Sequence, residues 1–150
     1  MTFRDAIFNN MKPDPKVLII GCGTSRMAEE MLEYDNISKI VQIDWSYTAV
    51  NLLDKIIEAN GNTVITTKMM DARRLEFPDN SFDTVIDKGL LDAMTCGDGA
   101  NTNVMMMLNE TYRVLKPTGV YFCLSRAIEK QRKGKYLKKP ELFKWRVKKV

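Results

Sequence analysis

Gly21-Cys22-Gly23-Thr24-Ser25 follows directly on the apolar run Val17-Leu18-Ile19-Ile20, and Asp44 lies 21 residues beyond Gly23 at the end of a second apolar run. Glycine lets the backbone turn sharply and approach a ligand without a Cβ clash. An acidic residue at about this spacing accepts hydrogen bonds from ribose hydroxyls. Alone, the glycine pair also fits a plain strand-to-helix turn, and Asp44 also fits a solvated loop carboxylate. Together, in this order, they point to a cofactor that contains a nucleoside. The chain has no histidine, which removes a His-dependent catalytic triad and the commonest zinc ligand. No metal site is expected.

Two further positions separate the nucleoside cofactors. The dinucleotide fingerprint places a third glycine where a pyrophosphate meets the helix start, and here Arg26 stands there. S-adenosylmethionine has no phosphate and does not need that glycine. The third strand ends near Asp71-Ala72. A carboxylate there accepts from an adenine amino group while a backbone N–H meets a ring nitrogen; a helix N-cap at Asp71 is the alternative. These positions disfavour NAD.

The elements that must carry these residues follow from the apolar pattern. Val17–Ile20, Lys39–Ile43, Thr63–Thr67, Phe82–Ile86 and Val120–Ser125 read as five strands. Thr24–Tyr34 has helical spacing. Ser46 is a good N-cap for a helix with Val50, Leu53 and Ile57 on one face, and Asn60-Gly61-Asn62 ends it. Cys96–Asn103 reads as loop, and Val104–Lys116 as a helix that Pro117 stops. The Met105-Met106-Met107 run reads as core packing. Alternating strands and helices predict a mainly parallel sheet with helices on both faces.

Length predicts a single domain over 1–150, with a core at 17–125 and a basic extension at 126–150. The extension holds eleven Lys/Arg against Glu129 and Glu141, a charge of +9, while residues 1–125 carry −5. Arg126, Lys130, Arg132, Lys133, Lys135, Lys138 and Lys139 are placed to meet the phosphates of a nucleic acid; a solvated chain end is the plainer reading. Cys22, Cys96 and Cys123 have no paired spacing and read as free thiols in a reducing compartment. No apolar run spans a membrane and no secretory leader is seen, so a cytoplasmic location is expected.

At this point the chain resembles a known family. Val17–Ser25, Val41–Ser46, Asp71-Ala72 with Phe77–Asp83, and Leu115–Val120 resemble, in order, the motifs of class I S-adenosylmethionine-dependent methyltransferases, which have a Rossmann-like fold. Asp83–Ala93, with its V-x-D-K-G-x-x-D-A pattern, is similar to the branch that includes lysine methyltransferases of translation elongation factors. The resemblance implies that Gly21, Cys22, Gly23, Thr24 and Ser25 line the methionine end of the cofactor. It implies that Asp44 binds ribose, that Trp45 lies beside adenine, and that Met70, Asp71 and Ala72 hold the base. Asp87 and Lys88 would lie near the sulfonium and the acceptor as catalytic candidates, and S-adenosylhomocysteine would be the product. Asp92 is a further candidate to orient the acceptor amine.

A protein lysine is the expected acceptor, with a translation elongation factor as partner. RNA or a small molecule is the alternative acceptor, and a catalytically silent partner subunit is the non-enzymatic alternative. Two departures stand out. The aromatic, arginine-containing segment usual ahead of the first strand is not found in residues 1–16. Residues 143–147 are the one candidate for a sixth strand, and the usual seventh is expected to be missing.

Overall fold

The computed structural model describes residues 3–33, 36–126, 133–139 and 141–146. The elements are α1 (Phe3–Phe8), β1 (Lys16–Ile20), α2 (Met27–Leu32), β2 (Lys39–Asp44), α3 (Tyr47–Ala59), β3 (Ile65–Met69), β4 (Phe82–Lys88), α4 (Leu90–Met94), α5 (Ala100–Val114) and β5 (Leu115–Leu124). Five strands form one sheet in the order β3-β2-β1-β4-β5, and every pair is parallel. The expected α/β class and the five expected strands are borne out.

The apolar runs are explained by strand alternation. Successive side chains point to opposite faces of a sheet, so a strand covered on both sides is apolar throughout. Leu18 and Ile20 pack in one core layer with Val41, Ile43 and Val85. Val17 and Ile19 pack in the other with Ile40 and Ile86. α3 closes the second layer through Leu53 and Ile57, and the Ser46 hydroxyl caps it by accepting from the Ala49 N–H at 3.4 Å. Of the methionine run, Met107 is fully buried in the first layer, whereas Met106 is 44% exposed.

Three expectations are corrected. α5 begins at Ala100, inside the stretch read as loop, because Gly99 takes a left-handed φ of 72° and turns directly into the helix. The helix then ends at Val114 rather than Lys116, and β5 begins at Leu115, with an irregular register against β4 between Phe82 and Thr84. Residues 143–146 form no strand; Val147 lies outside the described residues. Their alternating aromatics instead pack on the end of the sheet. Phe143 lies 4.5 Å from Trp145 and 5.4 Å from Tyr112 between ring centroids, and Trp145 stacks on Tyr121 at 5.7 Å. The Trp145 indole N–H also donates to the Leu137 carbonyl at 2.7 Å. The basic segment is therefore part of the core where it is described, with Tyr136 and Phe143 both buried.

This packing has a measurable consequence. Phe143→Ala should cost about 3–5 kcal/mol, the usual range for truncating a buried phenylalanine. In thermal unfolding the midpoint should fall by roughly 2–4 °C per kcal/mol for a domain of this size. A midpoint unchanged from wild type would show that residues 141–146 do not pack on β5.

Candidate functional site

Strand order reverses between β1 and β4, since β1 leads outward to β2 and β3 while β4 lies on its other side. In open α/β sheets this switch point opens a crevice at the carboxyl ends of the strands. A cavity of about 420 Å³ lies there, lined from β1 by Gly21, from β2 by Asp44 and Trp45, and from the loop after β3 by Met70, Asp71, Ala72 and Arg73. The β4 side adds Lys88, Gly89, Leu90, Ala93, Met94 and Cys96, and α5 adds Asn103. The volume lies in the range of small-molecule sites.

Gly21 has a φ of +63°, and a Cβ on it would meet the Leu90 side chain at 2.9 Å. Both facts require glycine. The Asp44 carboxylate joins two loops. One oxygen accepts from the Gly23 N–H at 2.8 Å and the other from the Ser46 N–H at 2.9 Å. Its backbone carbonyl accepts from the Met70 N–H at 2.9 Å, which fixes the loop after β3 to β2. Each carboxylate oxygen has two acceptor positions, so Asp44 keeps capacity for a ligand hydroxyl.

Not all the expected residues share the cavity. Gly21, Asp44, Trp45, Met70, Asp71, Ala72 and Lys88 are brought together there. Gly23, Thr24 and Ser25 lie in the adjoining loop. Ser25 reaches the site through its hydroxyl, which accepts from Lys88 Nζ at 3.1 Å. Cys22 turns away into the second core layer, where burial and the charge of Asp44 push its thiol up to about 12. Its backbone N–H donates to the Ile43 carbonyl at 2.9 Å, which ties the loop after β1 to the end of β2.

Asp87 is not brought into the cavity either. It is fully buried, and its carboxylate accepts from the N–H groups of Leu90 at 2.7 Å and Leu91 at 3.0 Å and from the Tyr121 hydroxyl at 3.0 Å. Burial drives its pKa up to about 6 against the pull of these donors. It acts on the site by holding the first turn of α4, and hence Leu90, against Gly21. The pleat sends Asp87 and Lys88 to opposite faces of β4; Asp87 is still covered, like Val85 and Ile86 before it, whereas Lys88 is the last residue of the strand and is exposed. The Asp92 carboxylate is also engaged, by Ser125 Oγ at 2.5 Å and the Arg126 N–H at 2.7 Å.

Two polar cavity residues, Arg73 and Asn103, carried no sequence signal. Arg73 donates through Nε and Nη2 to the Asp71 carboxylate, with the Nη2 contact at 2.6 Å, and through Nη1 to Asn103 Oδ1 at 2.8 Å. These bonds keep the Asp71 carboxyl below its ordinary range, the side-chain bond to Arg73 being the larger cause. They also tie the loop after β3 to α5, 30 residues away. Behind them, Arg113 of α5 donates to the carbonyls of Leu75 and Phe77 and to Glu110 and Asp79, all at 2.7–2.9 Å. The Glu110 carboxylate also accepts from the Leu75 N–H. This clamp holds the connection between β3 and β4.

Comparison with known proteins agrees with this architecture. A family profile described as "Methyltransferase domain" matches residues 18–123. The chain belongs to the methyltransferase domain family. A Homo sapiens protein named eEF1A lysine and N-terminal methyltransferase is 39% identical over 119 residues, which are 78% of this chain and 17% of that protein. A Bos taurus protein named EEF1A lysine methyltransferase 4 is 33% identical over 134 residues, 83% of this chain and 51% of that protein. This methyltransferase domain thus spans only part of either relative. Among solved structures, the PH0226 protein of Pyrococcus horikoshii superposes with a TM-score of 0.65 at 26% identity, over 80% of this chain and 53% of that one. The resemblance read in the motifs is borne out at the level of family and fold.

The buried Asp87 gives this methyltransferase domain a pH signature. Its folded pKa is raised, so the folded state binds the proton more tightly than the unfolded chain. Stability from this group is complete below its unfolded value and is lost as pH rises through about 6. Asp71, Asp83 and Glu110 are lowered and lose their stabilisation only in more acid solution. Urea unfolding of wild type should therefore show stability falling from pH 5 to pH 7, and Asp87→Asn should flatten that slope. Equal slopes in the two proteins would contradict the assignment.

Proposed function

We propose that this domain binds S-adenosylmethionine in the cavity at the carboxyl edge of the sheet and transfers a methyl group to a protein lysine, with a translation elongation factor as the acceptor. The observation that carries the reading is the convergence of Gly21, Asp44, Trp45 and Met70–Ala72 on one cavity at the switch point. Membership of the methyltransferase family and relatives named as eEF1A lysine methyltransferases support it.

The residues present fit such a cofactor. Gly21 offers main chain without a Cβ, Asp44 offers acceptor capacity for ribose hydroxyls, and the exposed Trp45 ring and Met70 offer apolar faces for a base. Asp71 and Ala72 supply polar and main-chain groups at the base end. The bound cofactor supplies the electrophile, a methyl on a cationic sulfur. The protein supplies orientation, since in-line attack needs the nucleophile roughly 3–3.5 Å from the methyl carbon. An acceptor lysine must arrive as the neutral amine, and the apolar wall of Leu90, Ala93 and Met94 favours that form by desolvation. No histidine is needed for any of these roles. A cytoplasmic setting fits both the acceptor and the free cysteines.

Titration calorimetry with S-adenosylhomocysteine should show saturable binding. Asp44→Ala should weaken it about ten- to a hundredfold, the range for losing charge-assisted hydrogen bonds, with the far-ultraviolet circular dichroism retained. Incubation with S-adenosylmethionine and purified elongation factor 1A should add methyl groups to a lysine, read by peptide mass spectrometry, and Asp44→Ala should abolish the addition. Saturable binding without a methylated lysine would move the acceptor to RNA or a small molecule. No binding by wild type would favour a silent partner subunit.

A further inference from the structure

The cations of this domain fall into two groups. In the body of the fold several are paired: Arg26 with Glu29, Arg73 with Asp71, Arg113 with Glu110 and Asp79, and Lys116 with Asp83. Between residues 135 and 146 five Lys/Arg stand against Glu141 alone, and among the described residues none of the five is in an ion pair. Lys135, Lys138, Lys144 and Arg146 are exposed. Their backbone, however, is fixed. Tyr136 is buried and donates its hydroxyl to Asn101 Oδ1 at 2.8 Å. Phe143 is buried, Trp145 stacks on Tyr121, and the Trp145 N–H bonds to the Leu137 carbonyl, which joins the two halves of the segment. The rings face the sheet and the charges face water.

Two contacts place this ledge beside the cavity. Asn101 lies in the first turn of α5, two residues before Asn103 of the cavity wall. Where β5 ends, the Arg126 N–H donates to the Asp92 carboxylate of α4, the helix that carries Ala93 and Met94 of the apolar wall. A partner seated on the ledge therefore reaches the α4–α5 side of the opening. Residues 1–125 carry a charge of −5, so attraction for an anionic partner is concentrated on this segment. Charges on a fixed backbone also lose less freedom on binding than charges on a free tail. The inward rings say which anion. Single-stranded nucleic acid is held by positive charge together with aromatic stacking, and here Tyr136, Phe143 and Trp145 are all packed toward the sheet. Charge without a stacking surface fits the carboxylates of a folded protein.

We infer that the outward face of residues 135–146 docks an acidic surface of the acceptor protein, next to the lysine that enters the cavity. The inference rests on the proposed protein-lysine reading and adds the partner's chemistry to it. Lys138, Lys144 and Arg146 meet the partner's carboxylates, while Tyr136, Phe143 and Trp145 hold the ledge in place against the sheet.

The test reverses the charge of the ledge in the full chain with the triple variant Lys138→Glu, Lys144→Glu and Arg146→Glu. Circular dichroism and S-adenosylhomocysteine affinity should match wild type within about twofold, since none of the three lines the cavity. With purified elongation factor 1A as acceptor, KM should rise about tenfold and kcat stay within about twofold. The corresponding triple glutamine variant should fall between the two, and raised salt should erase most of the difference. By fluorescence anisotropy, a glutamate-rich peptide with one lysine should bind wild type, lose its affinity in the charge-reversed variant, and bind wild type more tightly than an oligouridine of equal charge. Equal peptide affinity in wild type and variant overturns the inference. So does tighter binding of oligouridine, which would make the ledge an RNA face. Loss of peptide binding in the variant, with no methyl added to elongation factor 1A by wild type, overturns the proposed acceptor and leaves the acidic docking face standing.

Discussion

The close approach of Gly21 to Leu90 is the constraint on which the site depends. Gly21 ends β1 in a left-handed turn, and Leu90 opens α4 directly after β4, so near that any Cβ on Gly21 would overlap its side chain. This contact closes the sheet side of the switch point and leaves the cavity above it. Asp87 enforces the contact by holding the N–H groups of Leu90 and Leu91 from below. Burying that carboxylate has a desolvation cost, only partly offset by the donors it collects. Asp44 makes the matching connection on the other side, joining the loops after β1, β2 and β3. Fixed main chain, rather than a constellation of acid and base side chains, is what this part of the fold is built to provide.

Much of this was legible in the residues, for identifiable reasons. The central strands are covered on both faces, and an uninterrupted run such as Val17–Ile20 has few other uses. α3 announced itself through the Ser46 cap and its apolar stripe. Reading failed where local chemistry is ambiguous. Gly97-Asp98-Gly99 looks like loop, yet Gly99 starts a helix without a side-chain cap. Phe143-Lys144-Trp145 alternates as a strand would, but its rings pack edge-on and stacked against Tyr112 and Tyr121. α1, a short helix before β1, left no pattern to find.

The site divides the same way. Gly21, Asp44 and Asp71 lie on strand ends whose spacing is visible in one dimension. Arg73 and Asn103 are distant in sequence and meet only because α5 packs beside the loop after β3. The motif containing Asp87 and Lys88 was visible, but not which of the two faces the cavity. That depends on where the covering of β4 stops, which the burial pattern reveals: Asp87 closes a run of buried residues and Lys88, at the strand end, is exposed. The Arg113 clamp was equally hidden, because it is made with the carbonyls of Leu75 and Phe77 and main-chain acceptors have no sequence identity.

The two tryptophans sit in opposite surroundings. Trp45 stands at the cavity rim, 77% exposed to water. Trp145 is packed among Tyr112, Tyr121 and Phe143 with its indole N–H bonded to a carbonyl. The protein therefore contains its own two-channel optical gauge. A quencher dissolved in water reaches Trp45 more readily than the half-buried Trp145, so the red, readily quenched part of the emission reports what covers the cavity, while the bluer, less quenched part reports whether the basic segment is still docked on the sheet.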